Sequence, residues 1–212
     1  MINQLSIYLR GIAMLVASAV LIPGALAQAP PAGAESPAVV RQAGKMALYR
    51  PVERELGPGQ TDVFTVDVAA GQFLHVVVEK QGANAVLVLA DPDGKALVTA
   101  DSPNGAFGPK PASLIAERGS AYQIRVAKSP RSPETGRYRI ELIGVHLPTE
   151  QDRTRLQAES AFFAAVANER AQDREKRLQA VPGYEQAAVL WHNLRDDGEE
   201  AVCLYDRITG AK

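Results

Sequence analysis

The chain of 212 residues contains a single cysteine, Cys203. No intramolecular disulfide can form, so any core must rest on apolar packing, and Cys203 reads as a small buried helix residue rather than a reactive thiol. Histidine is nearly as scarce. His75, His146 and His192 are far apart, and none has a second His or a Cys at the three- or four-residue spacing of a metal-binding helix. The sequence has no phosphate-binding glycine loop, no G-x-G-x-x-G and no G-x-S-x-G elbow. With no nucleophile and base placed together, the expectation is a protein that is not an enzyme, with no catalytic residues, no metal ligands and no cofactor. Charge of one sign is missing too. The 23 basic residues face 24 acidic ones without a basic run, which argues against nucleic acid as a partner. Aromatics make up 6% of the chain, little for the exposed ring platform a glycan-binding sandwich displays. Phe73, on the outer parity of its strand with His75, and Phe107, read as a loop residue, are the candidates for it.

What is present begins with an export signal. Arg10 precedes the uncharged run Gly11 to Ile22, and Ala25-Leu26-Ala27 supplies the small-x-small pattern of a cleavage site. Twelve apolar residues would span about 18 Å as a helix, short of a hydrocarbon core about 30 Å thick. Residues 1–27 are therefore read as a signal peptide cut after Ala27. The mature protein is expected outside the cytoplasm, periplasmic or secreted, with no stable membrane anchor. Residues 28–47, rich in Pro, Ala and Gly, are read as a flexible leader.

From residue 48 to 147 the hydrophobic period is two. Phe64, Val66 and Val68 share one face, as do Tyr122, Ile124 and Val126, and Tyr138, Ile140 and Leu142. Turn chemistry separates the runs, most clearly Asp91-Pro92-Asp93-Gly94. About eight strands are expected, at 51–56, 61–68, 72–80, 85–91, 95–101, 112–118, 121–128 and 137–144. No helical pattern lies between them, so parallel crossovers are excluded and an antiparallel, jelly-roll-like β-sandwich follows. Asp91 and Asp93 match the first two positions of an EF-hand, but Lys95, Ala96 and Ser102 fail the rest. A weak calcium site of another kind, at Asp91, Asp93 or Asp101, stays open.

At Pro148 the period becomes helical. Thr149 and Asp152 form a capping box, and Leu156, Phe163 and Val166 recur at helical spacing. A helix is expected to about residue 171, a second over 174–194 restarting with Pro182 as its first residue, and a third over 198–209. Tyr184, Ala187, Ala188 and Trp191 line one face of the second, and Ala201, Leu204, Tyr205 and Ile208 the apolar side of the third. The fold class is thus mainly β plus α: a sandwich over 48–147, then about three helices over 148–212.

Two stretches resemble known families. "VFTVDVAAGQFLHVVVEKQGANAVLVLADPDGKALVTADSPNG" with "GSAYQIRVAKSPRSPETGRYRIEL" is similar to the bacterial pre-peptidase C-terminal domain, in which an A-G-Q turn, a D-P-D-G turn and a final G-x-Y strand recur in this order. The resemblance implies a jelly-roll sandwich that serves secreted proteins as a non-catalytic module. "LPTEQDRTRLQAESAFFAAV" with "YEQAAVLWHNLRDDGEEA" resembles the junction at which such sandwiches lead into tetratricopeptide repeats, often followed by a caspase-like CHAT domain. Tyr184, Ala187 and Trp191 stand where a repeat helix carries its aromatic, small and aromatic positions. The repeat is degenerate, with Pro182 in its helix and no second full copy, and no CHAT domain is present from which protease activity could be carried over.

The expected function is a secreted, non-catalytic protein-interaction module, with a protein partner or self-association. A glycan or cell-surface binding module stays open, as does a fragment of a larger secreted protease or surface protein. The candidate partner surface is Trp191, Tyr205 and Ile208. Trp191 and Leu194 are expected to be covered within the helical unit, leaving Tyr205 and Ile208 at an uncovered edge.

Overall fold

The computed structural model describes residues 39–101, 107–128 and 134–210. The expected cleavage site at Ala27 lies outside them. Nine strands form two sheets: β1 (Val39–Lys45), β2 (Val52–Leu56), β3 (Gln60–Val68), β4 (Phe73–Gln81), β5 (Ala85–Ala90), β6 (Ala96–Ala100), β7 (Phe107–Ile115), β8 (Ser120–Lys128) and β9 (Gly136–His146). One sheet runs β1-β3-β8-β5-β6 and the other β2-β9-β4-β7. The alternating residues behave as their period dictates: Phe64, Val66, Val68, Tyr122, Ile124, Val126, Tyr138, Ile140 and Leu142 are all buried in one core between the sheets. The turns obey their chemistry as well. Gly94 N–H donates to Asp91 O at 2.9 Å, and Gly71 supplies the φ of 79° that its turn needs.

β1 corrects the sequence reading, which put residues 39–45 in a flexible leader. It is a ninth strand, and it pairs parallel with β3. "VVRQAGK" has no alternation because the strand is largely exposed on both faces. It is held by backbone pairing, by the Lys45–Asp67 ion pair, and by Arg41, which donates to both carboxylate oxygens of Asp62 at 2.6 and 2.9 Å. Asp62 is fully buried and also accepts from the Tyr138 hydroxyl.

Among the described residues four helices follow: α1 (Glu150–Glu169), α2 (Arg174–Leu178), α3 (Ala180–Asn193) and α4 (Asp197–Gly210). The capping box at α1 is formed, with Thr149 Oγ1 accepting Asp152 N–H at 3.2 Å and Asp152 Oδ2 accepting Thr149 N–H at 2.8 Å. The buried stripe of α1 is Ala158, Glu159, Phe162, Ala165 and Val166, so of the expected Leu156, Phe163 and Val166 only the last is fully buried. The reason is that α1 packs in two directions. Its small residues meet α3, while Leu156 and Phe163 turn toward the sandwich edge.

α3 starts two residues before Pro182 rather than at it. Within the first turn a proline forfeits only a donor that would have no helical partner. At Gly183 a Cβ would come 2.9 Å from Ala165 Cβ, so the glycine lets α1 and α3 approach closely. Tyr184, Ala187, Ala188 and Trp191 are buried as their spacing predicts, with Cys203 beside them. In α4 the stripe read as its apolar side is not the one that packs. Cys203 and Asp206 are buried and Val202 partly so, whereas Ala201, Leu204 and Tyr205 face solvent. Small and polar side chains fit against α3 where larger apolar ones would hold the helices apart.

Candidate interaction surfaces

The outer face of the β4–β7 pair carries the polar groups that α1 covers. His75 and Ser113 are cross-strand partners, which brings His75 Nδ1 within 2.8 Å of Ser113 Oγ. Ser113 Oγ–H donates to Glu159 Oε1 of α1, also at 2.8 Å. All three are buried. Sequence reasoning placed no Ser or Glu near His75, because Ser113 and Glu159 are 38 and 84 positions away in chain order and only register and helix docking join them. Burial, helped by the Arg155 guanidinium, pushes the imidazole down to about 4, and burial pushes the Glu159 carboxyl up to about 7. Ser113 Oγ–H donates to the Glu159 carboxyl, and the imidazole tautomer sets the direction of the His75 Nδ1···Ser113 Oγ contact. An imidazole this hard to protonate is a poor proton carrier near neutrality.

Phe73 lies beside this group, buried and flanked by the His75 and His146 rings at centroid distances of 6.0 and 5.5 Å. It is therefore not an exposed stacking platform. Phe107 belongs to β7 rather than to a loop. His192 stands apart, 3.1 Å from Glu200. The three histidines thus do not converge, although two of them share Phe73. Of the carboxylates considered for calcium, Asp91 and Asp93 both meet Arg118, and Asp101 meets Arg170 at 2.8 Å. Among the described residues no three His, Cys, Asp or Glu side chains are grouped to hold a metal ion.

The residues expected to form a partner surface separate. Trp191 is 1% exposed, packed in the helical core with the Arg155 guanidinium 5.1 Å from its ring centroid. It is a packing residue, not a surface one. Tyr205 is 66% exposed, and the Ile208 side chain lies outside the described residues. Val189, 62% exposed, joins Leu204 on the wall of a groove of about 400 Å³ between α3 and α4. Glu185 and Arg207 pair across it at 3.2 Å, near the His192–Glu200 pair. Val189 escaped the sequence reading because the neighbouring alanines and Trp191 define the buried face, and a lone valine on the opposite face carries no periodic signal. Among the described residues no helix is long and apolar enough to cross a membrane.

No family model matches this chain, and no curated protein matches it in sequence. Solved structures resemble it in part. The pre-peptidase C-terminal domain of collagenase from Bacillus anthracis is 21% identical with a TM-score of 0.39, over 48% of this chain and 95% of that one. PliG, a periplasmic inhibitor of g-type lysozyme from Aeromonas hydrophila, is 15% identical with a TM-score of 0.40, over 48% and 94%. CorA, a surface-associated copper-binding protein of Methylomicrobium album, is 8% identical with a TM-score of 0.36, over 52% and 100%. What those proteins bind is theirs alone.

Proposed function

We propose that this chain is an extracytoplasmic, non-catalytic protein-interaction module: a sandwich of the pre-peptidase C-terminal kind carrying a short, tetratricopeptide-like helical unit whose outer face binds protein. One observation carries the reading. Val189 and Tyr205, on α3 and α4, are about two-thirds exposed on the side of the helices away from α1, next to the apolar groove that Val189 and Leu204 line. In a helical solenoid this is the side on which the next helix pair packs. The order of the turns, Ala70-Gly71-Gln72, then Asp91 to Gly94, then the Gly136 strand, supports the sandwich assignment, and the Arg10 to Ala27 pattern supports export.

The occupant we favour is a second copy of this chain. The rim of the groove carries both signs, Arg207 among Glu185 and Glu200. Such a mixture suits a two-fold contact in which the same patch meets itself. A patch of a few hundred Å² contributes about 25 cal/mol per Å², most of it offset by association entropy, so the contact is weak. Sedimentation of the exported protein against concentration tests it. Self-association in the high micromolar range, lost in Val189→Glu and in Tyr205→Glu, is the expected result. A protein that stays monomeric in every form up to millimolar concentration would remove the second copy as occupant.

A further inference from the structure

β6 ends the five-stranded sheet and pairs only with β5, so among the described residues no strand is hydrogen-bonded to its other edge, although β7 of the second sheet lies close to it. The neighbouring end strand, β7, is guarded: Pro109 and Pro111 remove two of its N–H donors. β6 reads "ALVTA" and has neither proline nor charge. Its exposed Leu97 faces solvent at 42%. Opposite it stands α1, and the two leave a channel. One compartment of about 470 Å³ is walled by Leu97, Thr99, Ile115, Leu156 and Phe163, and a second of about 280 Å³ by Thr99, Asp101, Val166 and Arg170, with Phe163 again. They meet at Thr99 and Phe163. The five residues of β6 measure about 17 Å as a strand, and the stretch of α1 facing them about 20 Å. The channel is therefore as long as a strand of five or six residues.

We propose that this channel receives an extended, alternating apolar segment of another protein, which adds to the free edge of β6 as a sixth strand of that sheet. The backbone edge would supply hydrogen bonds, and Leu156 and Phe163 would take alternate side chains. The ends of the channel are electrically different. Asp101 is already matched by Arg170, whereas Glu117, at the end near Ile115, is exposed and has no ion pair among the described residues. A basic residue at that end of the segment completes the fit. This site is separate from the α3–α4 face and does not depend on it.

The probe is a synthetic peptide, Lys-Val-Thr-Val-Thr-Val with both termini blocked and a fluorescent label. Binding is read by anisotropy, and its place by hydrogen exchange of backbone amides. Three results are expected: a dissociation constant below about 1 mM, slowed exchange confined to β6, and at least tenfold weaker binding when alternate peptide nitrogens are methylated. Leu97→Lys should weaken binding tenfold, Glu117→Lys several-fold, and Val189→Glu not at all. If Leu97→Lys does not fold, exchange on the unaltered protein decides. Equal binding of the methylated peptide, absence of binding at millimolar concentration, or protection of α3 and α4 in place of β6 would each overturn the proposal. The last outcome would leave the helical face as the protein-binding surface.

Discussion

Glu159 and His75 titrate in opposite senses, although one serine joins them. The Glu159 carboxyl goes from 4.5 when unfolded to about 7 when folded, so the stability of its buried neutral form is lost as pH rises through that window. At about 1.4 kcal/mol per pH unit, the loss is about 3 kcal/mol by pH 7. Burial raises Glu199 to about 7 and Asp206 to about 6, which adds the same slope. His75 goes from 6.5 to about 4, so its neutral form contributes stability above pH 6.5 that is lost as pH falls toward 4. Three carboxyls outweigh one imidazole, and urea unfolding should show stability falling from pH 4.5 to 7. Glu159→Gln should flatten that slope, and His75→Gln should steepen it. A slope that Glu159→Gln leaves unchanged would mean the carboxyl is not held neutral. A second residue-scale outcome concerns Asp62. Arg41→Met leaves this fully buried carboxylate, among the described residues, with only Tyr138 as a side-chain hydrogen-bond partner and should cost about 2–3 kcal/mol, read as a lower urea midpoint.

The close approach of α1 and α3 depends on Gly183, where a Cβ would be 2.9 Å from Ala165 Cβ. Gly183→Val should force the helices apart and cost about 2 kcal/mol, the scale of overpacking in a core. Thermal unfolding would read the loss, and near-ultraviolet circular dichroism the changed setting of Trp191. Elements with one buried and one wet face could be read from the sequence. The inward positions of β3, β8 and β9 follow from period two, and the cap of α1 from Thr149 and Asp152. Elements held by something other than a periodic apolar face could not. β1 is held by the backbone of β3 and two ion pairs, which leave no pattern in "VVRQAGK". α4 buries Cys203 and Asp206, a small and a polar side chain that mark no inward face in the sequence. Glu159 could not be recognised as a site residue, because its partners come from β7 and β4 through docking alone.

Across the molecule, two apolar cores lie side by side, one between the sheets and one among the helices, and Phe163 packs against both. The polar group at His75, Ser113 and Glu159 sits where α1 meets the sheet. Among the described residues, the surfaces left over are an apolar helical face at Val189, Leu204 and Tyr205 and an edge of β6 to which no strand is hydrogen-bonded. Neither places a nucleophile beside a base, and both suit the binding of a protein chain. Export remains a separate expectation. N-terminal sequencing of material from outside the cytoplasm should begin at Gln28, and retention of Met1 would mean that the segment acts as an anchor. For the binding role itself, the deciding measurement is sedimentation equilibrium of the exported protein beside the double variant Val189→Glu/Tyr205→Glu, with the melting temperature of each. A concentration-dependent mass in the first, a constant monomer mass in the second and equal melting temperatures are predicted. Identical masses at every concentration, whatever the melting temperatures, would contradict it.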